Sequence, residues 1–229
     1  MKSILKEFSH LFFPNYCPVC NNKLLPSEEG VCLQCLHKLP KTNNFNEPDN
    51  LAETLLAGRF PFERVATFCV YSKQGVLQPL IHQLKYNNKK EIGILLGKLF
   101  GKDLLGSEFI NPIDFIVPVP LHPKKQKERG YNQAEIIANG LSEVTAIPVS
   151  IGNLVRSIFN PTQTKRTKTQ RWENVKDIFD VLQPQLYADK HILLVDDIIT
   201  TGSTLEACAH ALLKSPDVKI SIATLGEVF

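Results

Sequence analysis

The chain has 229 residues, 43% of them hydrophobic and 21% charged, with a formal net charge of +3. That is the composition of a soluble globular protein with room for one medium domain and a small appendage. No stretch approaches the roughly 20 uninterrupted apolar residues of a membrane helix. So small a net charge implies no polyanionic partner by itself, so the placement of charge matters more than its sum.

Met1 to Phe13 carry apolar Ile4, Leu5, Phe8, Leu11 and Phe12, interrupted by Lys6, Glu7 and His10. The segment reads as a short amphipathic helix packing on the body rather than a secretory signal, and the cytoplasm is the expected compartment. Cys17-Pro-Val-Cys20 and Cys32-Leu-Gln-Cys35 follow. Each C-x-x-C lets a tight knuckle present two thiolates, and two knuckles complete a tetrahedral four-cysteine site. The intervening segment has turn residues near both ends, so it can fold back as a ribbon. Structural Zn2+ is the expected occupant, because disulfides and redox dithiols are disfavoured in a chain without an export signal. A filled shell makes His37 a bystander and leaves no open position for catalysis. A module this small folds only with its metal. Cys69 and Cys208, in apolar surroundings, read as buried, inert thiols.

The polar residues 41–50 form a linker candidate. The expected division is residues 1–40 for the N-terminal helix and cysteine ribbon, 41–60 for the linker and 61–229 for the main domain. Val65 to Tyr71 reads as a strand, and helical periodicity follows at 74–86 and 91–105. Gly93, Gly97 and Gly101 recur every four residues, which puts them on one helical face and points to close packing rather than ligand contact. Asp114 to Val119 is the next strand, and Pro118-Val119-Pro120 fixes the chain as it leaves the sheet. A helix over 131–144, a strand around 147–151, a basic loop at 160–170 and a short strand near 178–181 come next. The strand 191–195 then leads through an acidic, hydroxyl-rich turn to a helix over about 204–214, and a strand at 218–224 follows. This alternation predicts an α/β fold, a mainly parallel sheet flanked by helices. Ligands of such sheets bind outside the carboxyl ends of the strands, where the 117–120 and 196–204 loops both belong.

Residues 192–204, Ile-Leu-Leu-Val-Asp-Asp-Ile-Ile-Thr-Thr-Gly-Ser-Thr, carry the clearest chemistry. Two carboxylates leave a buried strand and can accept hydrogen bonds from neighbouring sugar hydroxyls. The helix start offers unpaired N–H groups and a positive dipole end to a phosphate. Gly202 lacks the Cβ that would block close approach of backbone to ligand, and Thr200, Thr201, Ser203 and Thr204 add hydroxyls. A ribose 5-phosphate would fill such a site from both ends. A P-loop is excluded because the nearest approach, Gly93 to Leu99, has the wrong spacing and no hydroxyl after its lysine. An ordinary strand–turn–helix with an acidic N-cap region remains the plainer alternative.

Two basic loops could serve such a site. His122 to Gln133 holds Lys124, Lys125, Lys127 and Arg129 against the single acid Glu128. Asn160 to Arg171 holds Lys165, Arg166, Lys168 and Arg171 with no acid. Lys/Arg loops can close over a diphosphate, or track a single-stranded nucleic-acid backbone. Tyr131 and Trp172 lie beside these clusters, where a base could stack, although aromatics beside a core more often pack into it.

The run 192–204 resembles the phosphoribosyl pyrophosphate (PRPP) loop of type I phosphoribosyltransferases. Leu84-Lys85-Tyr86, Val117 to Leu121, Glu128 to Gln133 and Arg171 to Val175 resemble, in this order, the ComF family. Its members are bacterial competence-associated proteins with a phosphoribosyltransferase-like domain and an N-terminal zinc module. The resemblance runs from about Cys17 to the C-terminus. It implies that Asp196 and Asp197 hold the ribose hydroxyls and support an oxocarbenium-like transition state, and that Thr200, Thr201, Gly202, Ser203 and Thr204 anchor the 5-phosphate. Val119, Lys124 and Arg129 would approach the pyrophosphate, Mg2+ would accompany PRPP, and residues 160–171 would be the mobile loop over the site. The implied role is the handling of imported single-stranded DNA in natural transformation, with a competence helicase of the ComFA type as a partner. The alternative is an active phosphoribosyltransferase of nucleotide or related metabolism. No feature of the sequence identifies an acceptor.

Overall fold

Strand residues that are apolar at successive positions need cover on both sides, and the central sheet has it. The computed structural model describes residues 15–156 and 178–228. Its strands are β1 (Val65–Val70), β2 (Phe115–Pro118), β3 (Leu154–Arg156), β4 (Phe179–Val181), β5 (His191–Ile199) and β6 (Lys219–Glu227). Its α-helices are α1 (Leu33–His37), α2 (Leu51–Leu56), α3 (Leu77–Tyr86), α4 (Lys90–Leu105), α5 (Pro123–Arg129), α6 (Gln133–Thr145) and α7 (Ser203–Leu212). The main sheet has the order β1-β6-β5-β2 and is parallel throughout, while β3 and β4 form a small antiparallel pair. Leu193 and Val195 of β5 join a buried cluster with residues of α3, α4 and α6. Ile192 and Leu194 face the other way, into a cluster with residues of α2, α7, β3 and β4. The period-2 alternation of one strand therefore holds both layers of the expected α/β fold.

The glycine repeat does what its spacing predicts. A Cβ on Gly97 would run into the Ile137 carbonyl oxygen of α6, and one on Gly140 into the carbonyl oxygen of Ile94. Helices α4 and α6 therefore touch backbone to backbone.

Four elements differ from expectation. Residues 147–151 make no strand but a single parallel bridge, Val149 to Ile116; Pro148 has no N–H to extend a ladder. The stretch 122–133, read as a loop, contains helix α5, which starts at Pro123 and whose Lys124 N–H donates to His122 Nδ1 at 3.2 Å. That helix buries no residue, so no apolar period announced it. Strand β5 runs four residues past Val195, pairing with β6 as far as Ile199 and Glu227. The two acids thus stand within the strand instead of leaving its end. Residues 41–60, the expected connection, are not all exposed as a polar linker would be: Phe45, Ala52 and Leu56 are buried.

Cys17, Leu24, Val31, Cys32, Cys35 and Leu39 belong to the same apolar cluster as Leu80 and Ile92 of α3 and α4. No helix among the described residues is long and apolar enough to cross a membrane. The amphipathic segment 1–13, the basic loop with Lys165, Arg166, Lys168 and Arg171, and Trp172 lie outside the described residues.

Candidate sugar-phosphate site and cysteine cluster

Pairing of β2 with β5 sets Pro118 against Val195, so the chain leaving β2 passes directly beside the acid pair. Val119 extends that contact, its N–H donating to the Val195 carbonyl at 2.8 Å. Asp196 Oδ1 accepts from the Asp197 N–H at 2.8 Å. Burial, and then the charge of Asp197, push the Asp196 carboxyl up to about 7. A carboxyl that titrates near neutrality can donate to or accept from a hydroxyl. Asp197 is held differently, with Lys85 from the last turn of α3 placing its Nζ 2.8 Å from Oδ2.

The turn after β5 opens helix α7 with no side-chain cap on its first N–H groups. Those donors need a partner, and an anion is a suitable one. Thr200, Thr201, Ser203 and Thr204 are exposed around a cleft of about 40 Å³ that also reaches Asp196. Thr201 Oγ1 and Ser203 Oγ lie 3.1 Å apart. Gly202 has φ +72°, and a Cβ there would strike Leu56 of α2. The missing Cβ thus permits the left-handed turn and the packing of α2, while Gly202 itself lines the cleft. Arg59 braces the turn from outside. It donates to the Thr201 carbonyl and binds Glu206 through Nη2 at 2.6 Å and Nε at 3.1 Å.

A larger cavity of about 190 Å³ opens beside the acids. Asp196, Asp197 and Thr204 line it together with Lys85, Lys125, Arg129 and Arg156, and with Val119 and Asn132 at the β2 end. Four cations thus share one small volume with two acids. Arg129 is oriented by Gln133, Nη1 to Oε1 at 2.8 Å. Arg156 also lines the cavity, and its Nε is buried with no hydrogen-bond partner among the described residues. Divalent-cation cages present converging oxygens, so this wall suits a polyanion that brings its own metal.

Of the residues singled out in the sequence, Asp196, Asp197, Thr204, Val119 and Arg129 line this one cavity. Lys125, not Lys124, lines the cavity. Sequence reasoning assigned no site role to Lys85, Arg156, Asn132 or Arg59, and it placed Lys125 only within the basic stretch that could close over a diphosphate. Lys85 stood inside a quoted motif, and Arg156 carried no local signal because β3 is only three residues long. Tyr131 is 7% exposed and its hydroxyl donates to the Leu84 carbonyl, so it is a core residue and offers no stacking face.

At the other end of the chain the Sγ atoms of Cys17, Cys20, Cys32 and Cys35 lie within 4.8 Å of one another. All four are free thiols. Tetrahedral Zn–S bonds of about 2.3 Å put sulfurs about 3.8 Å apart, and Cys20 and Cys32 already stand at 3.6 Å. Burial raises the Cys17 thiol, but N–H groups of Cys32, Cys20 and Val19 outweigh it and bring it down to about 7. Burial and the neighbouring thiols push Cys35 up, so thiolates crowded here call for a cation. The cluster therefore fits a bound metal ion. Cys69 and Cys208 are buried, and burial raises both thiols, Cys69 to about 12.

Comparison with known proteins supplies the context. Residues 127–227 match the phosphoribosyl transferase domain family, a span holding Arg129, Arg156, both acids and the hydroxyl turn but stopping short of Lys85. DNA utilization protein YhgH of Escherichia coli (strain K12) is 28% identical over 223 residues, 93% of this chain and 96% of that protein. The glutamine PRPP amidotransferase of B. subtilis, a solved structure, overlaps 57% of this chain and 25% of its own at 20% identity and a TM-score of 0.40. Competence protein ComFC of Bacillus subtilis (strain 168) is 36% identical over 226 residues, 88% of this chain and 86% of that protein. Likeness of that extent, with the cysteine cluster and the phosphoribosyl transferase match in one chain, makes this protein a member of the ComF family.

Proposed function

We propose that this protein binds PRPP in the cavity beside the acid pair of β5 and the chain leaving β2, and acts in the handling of imported single-stranded DNA during natural transformation. The carrying observation is the cavity wall itself, two acids opposed by Lys85, Lys125, Arg129 and Arg156 beside an uncapped helix start. In this reading Thr200, Thr201, Ser203 and Thr204 hold the 5-phosphate, with Gly202 shaping the turn. Asp196 and Asp197 hold the ribose hydroxyls and place negative charge below the sugar. Lys125, Arg129 and Arg156 face the diphosphate, with Lys124 at the edge of the same basic helix. The diphosphate would bring Mg2+ with it, which would neutralise part of its charge. Arg59 keeps the turn in place. The relatives named for competence and for DNA utilization support the DNA-handling role.

The division into a cysteine module (1–40), a connecting segment (41–60) and a sugar-phosphate domain (61–229) belongs to the same proposal, as do structural Zn2+ at the four thiols, a ComFA-type helicase as partner and a cytoplasmic location. A phosphoribosyltransferase that turns PRPP over on an unknown acceptor is the second reading. Its support is Asp196, a carboxyl in the cavity wall that burial and Asp197 raise to about 7. Titration calorimetry with PRPP and Mg2+ tests the shared premise. Wild type should bind, while Asp196→Asn combined with Asp197→Asn should weaken binding about a hundredfold, the loss of two hydroxyl-to-carboxylate contacts. A wild-type protein that takes up no PRPP removes both readings.

A further inference from the structure

Tyr86 is the most exposed aromatic side chain among the described residues, 64% open, whereas Tyr131 and Tyr187 are buried. It is nevertheless held in place. The His82 ring, one turn earlier on α3, lies 4.9 Å from its centroid, and Arg129 Cζ lies 5.3 Å from it. Arg129 is in turn fixed by Gln133 and lines the sugar-phosphate cavity. The preceding residue, Lys85, reaches Asp197. The ring therefore stands at the mouth of the cavity, oriented by two neighbours. Helix α5 alongside presents Lys124, Lys125, Lys127 and Arg129 against Glu128 and buries nothing. A rigid open ring beside a row of cations is the arrangement that holds single strands, where bases stack on aromatics and phosphates follow the charge.

We propose that Tyr86 is a stacking platform for an unpaired base of single-stranded DNA whose backbone runs along α5, an assignment that rests on the DNA-handling role above. The occupant is a strand rather than a free base because the cations flanking the ring exceed what one neutral base would use. It also joins two functions in space, since Arg129 touches the platform on one side and lines the PRPP cavity on the other.

Fluorescence anisotropy with an oligo-dT strand and an abasic strand of equal length separates stacking from charge. Wild type should prefer oligo-dT, and Tyr86→Ala should lose about tenfold on oligo-dT and little on the abasic strand. Tyr86→Phe should retain wild-type affinity, because the ring and not the hydroxyl does the work. Thermal melts of both variants, at an exposed position, should match wild type. Equal losses on both strands, or no preference for bases in wild type, would overturn the platform while leaving DNA binding intact. Competition by free deoxythymidine as effective as the strand would also overturn it, in favour of a small-molecule acceptor. No binding of either strand by wild type would instead sink the DNA-handling role on which the platform depends.

Discussion

The four thiols of the cysteine cluster come from one short stretch, Cys17 to Cys35, and converge within 4.8 Å. The cavity beside β5 gathers its side chains from Lys85, Lys125, Arg129, Arg156, the acid pair and Thr204, spread over more than half the chain. The first site is closed by local geometry, a turn at Cys17 to Cys20 and the start of helix α1 at Cys32 to Cys35. The second exists only after the parallel sheet has set β2 against β5 and α3 has packed on them. The difference teaches that a site's dependence on the whole fold can be read from how far apart its residues lie in sequence.

Metal removal should give the largest effect. Strong chelation, or Cys17→Ser with Cys20→Ser, should unfold residues 15–39, since structural Zn2+ in modules of this kind contributes on the order of 10 kcal/mol. Because Leu24 and Val31 share a cluster with α3 and α4, the melting midpoint of the whole chain should fall as well. A remainder that melts unchanged would show the two regions to be independent. Gly97→Leu comes next. Its side chain would meet the backbone of α6, costing about 3 kcal/mol by overpacking, measurable by urea melts. The shift of α6 should displace Asn132 and Gln133 and weaken PRPP binding while the metal content stays the same. Lys85→Met should act on the cavity alone. With the 2.8 Å pair to Asp197 gone, PRPP affinity should drop about tenfold, or about 1.4 kcal/mol, by calorimetry. Little change in melting temperature would confirm that the pair serves the site.

A further test reads the pH dependence of stability. Folding raises the Asp196 carboxyl to about 7, so between about pH 4 and pH 7 the folded chain holds a proton that the unfolded chain releases. Its contribution to stability is complete below pH 4 and is lost as pH rises through 7. Asp196→Asn should flatten that part of the stability profile, seen in denaturant melts at pH 5 and pH 8. An unchanged slope would mean that the acid pair is solvated as ordinary surface carboxylates are.

These contrasts also explain what was legible in the sequence. Spacing announced the cysteine cluster, the apolar run before Asp196 announced a buried strand, and the four-residue glycine interval announced the α4–α6 contact. Each signal is local, carried by residues that neighbour one another along the chain. Helix α5 gave no signal because it buries no residue and so has no apolar face, and β3 was too short to show a period. Lys85 and Arg156 were missed as cavity residues because their significance comes only from the elements packed beside them. Gly202 was read as a ligand-facing glycine, but Leu56, 146 positions away, determines its size limit.

The central claim is that the acid pair and the cations of three other elements make one PRPP site. A crystal structure with PRPP and Mg2+ tests it most directly. The account predicts the 5-phosphate at Thr200 to Thr204, ribose hydroxyls on Asp196 and Asp197, and the diphosphate toward Lys125, Arg129 and Arg156. A diphosphate seated in the hydroxyl turn, or PRPP bound away from β5 altogether, would contradict it.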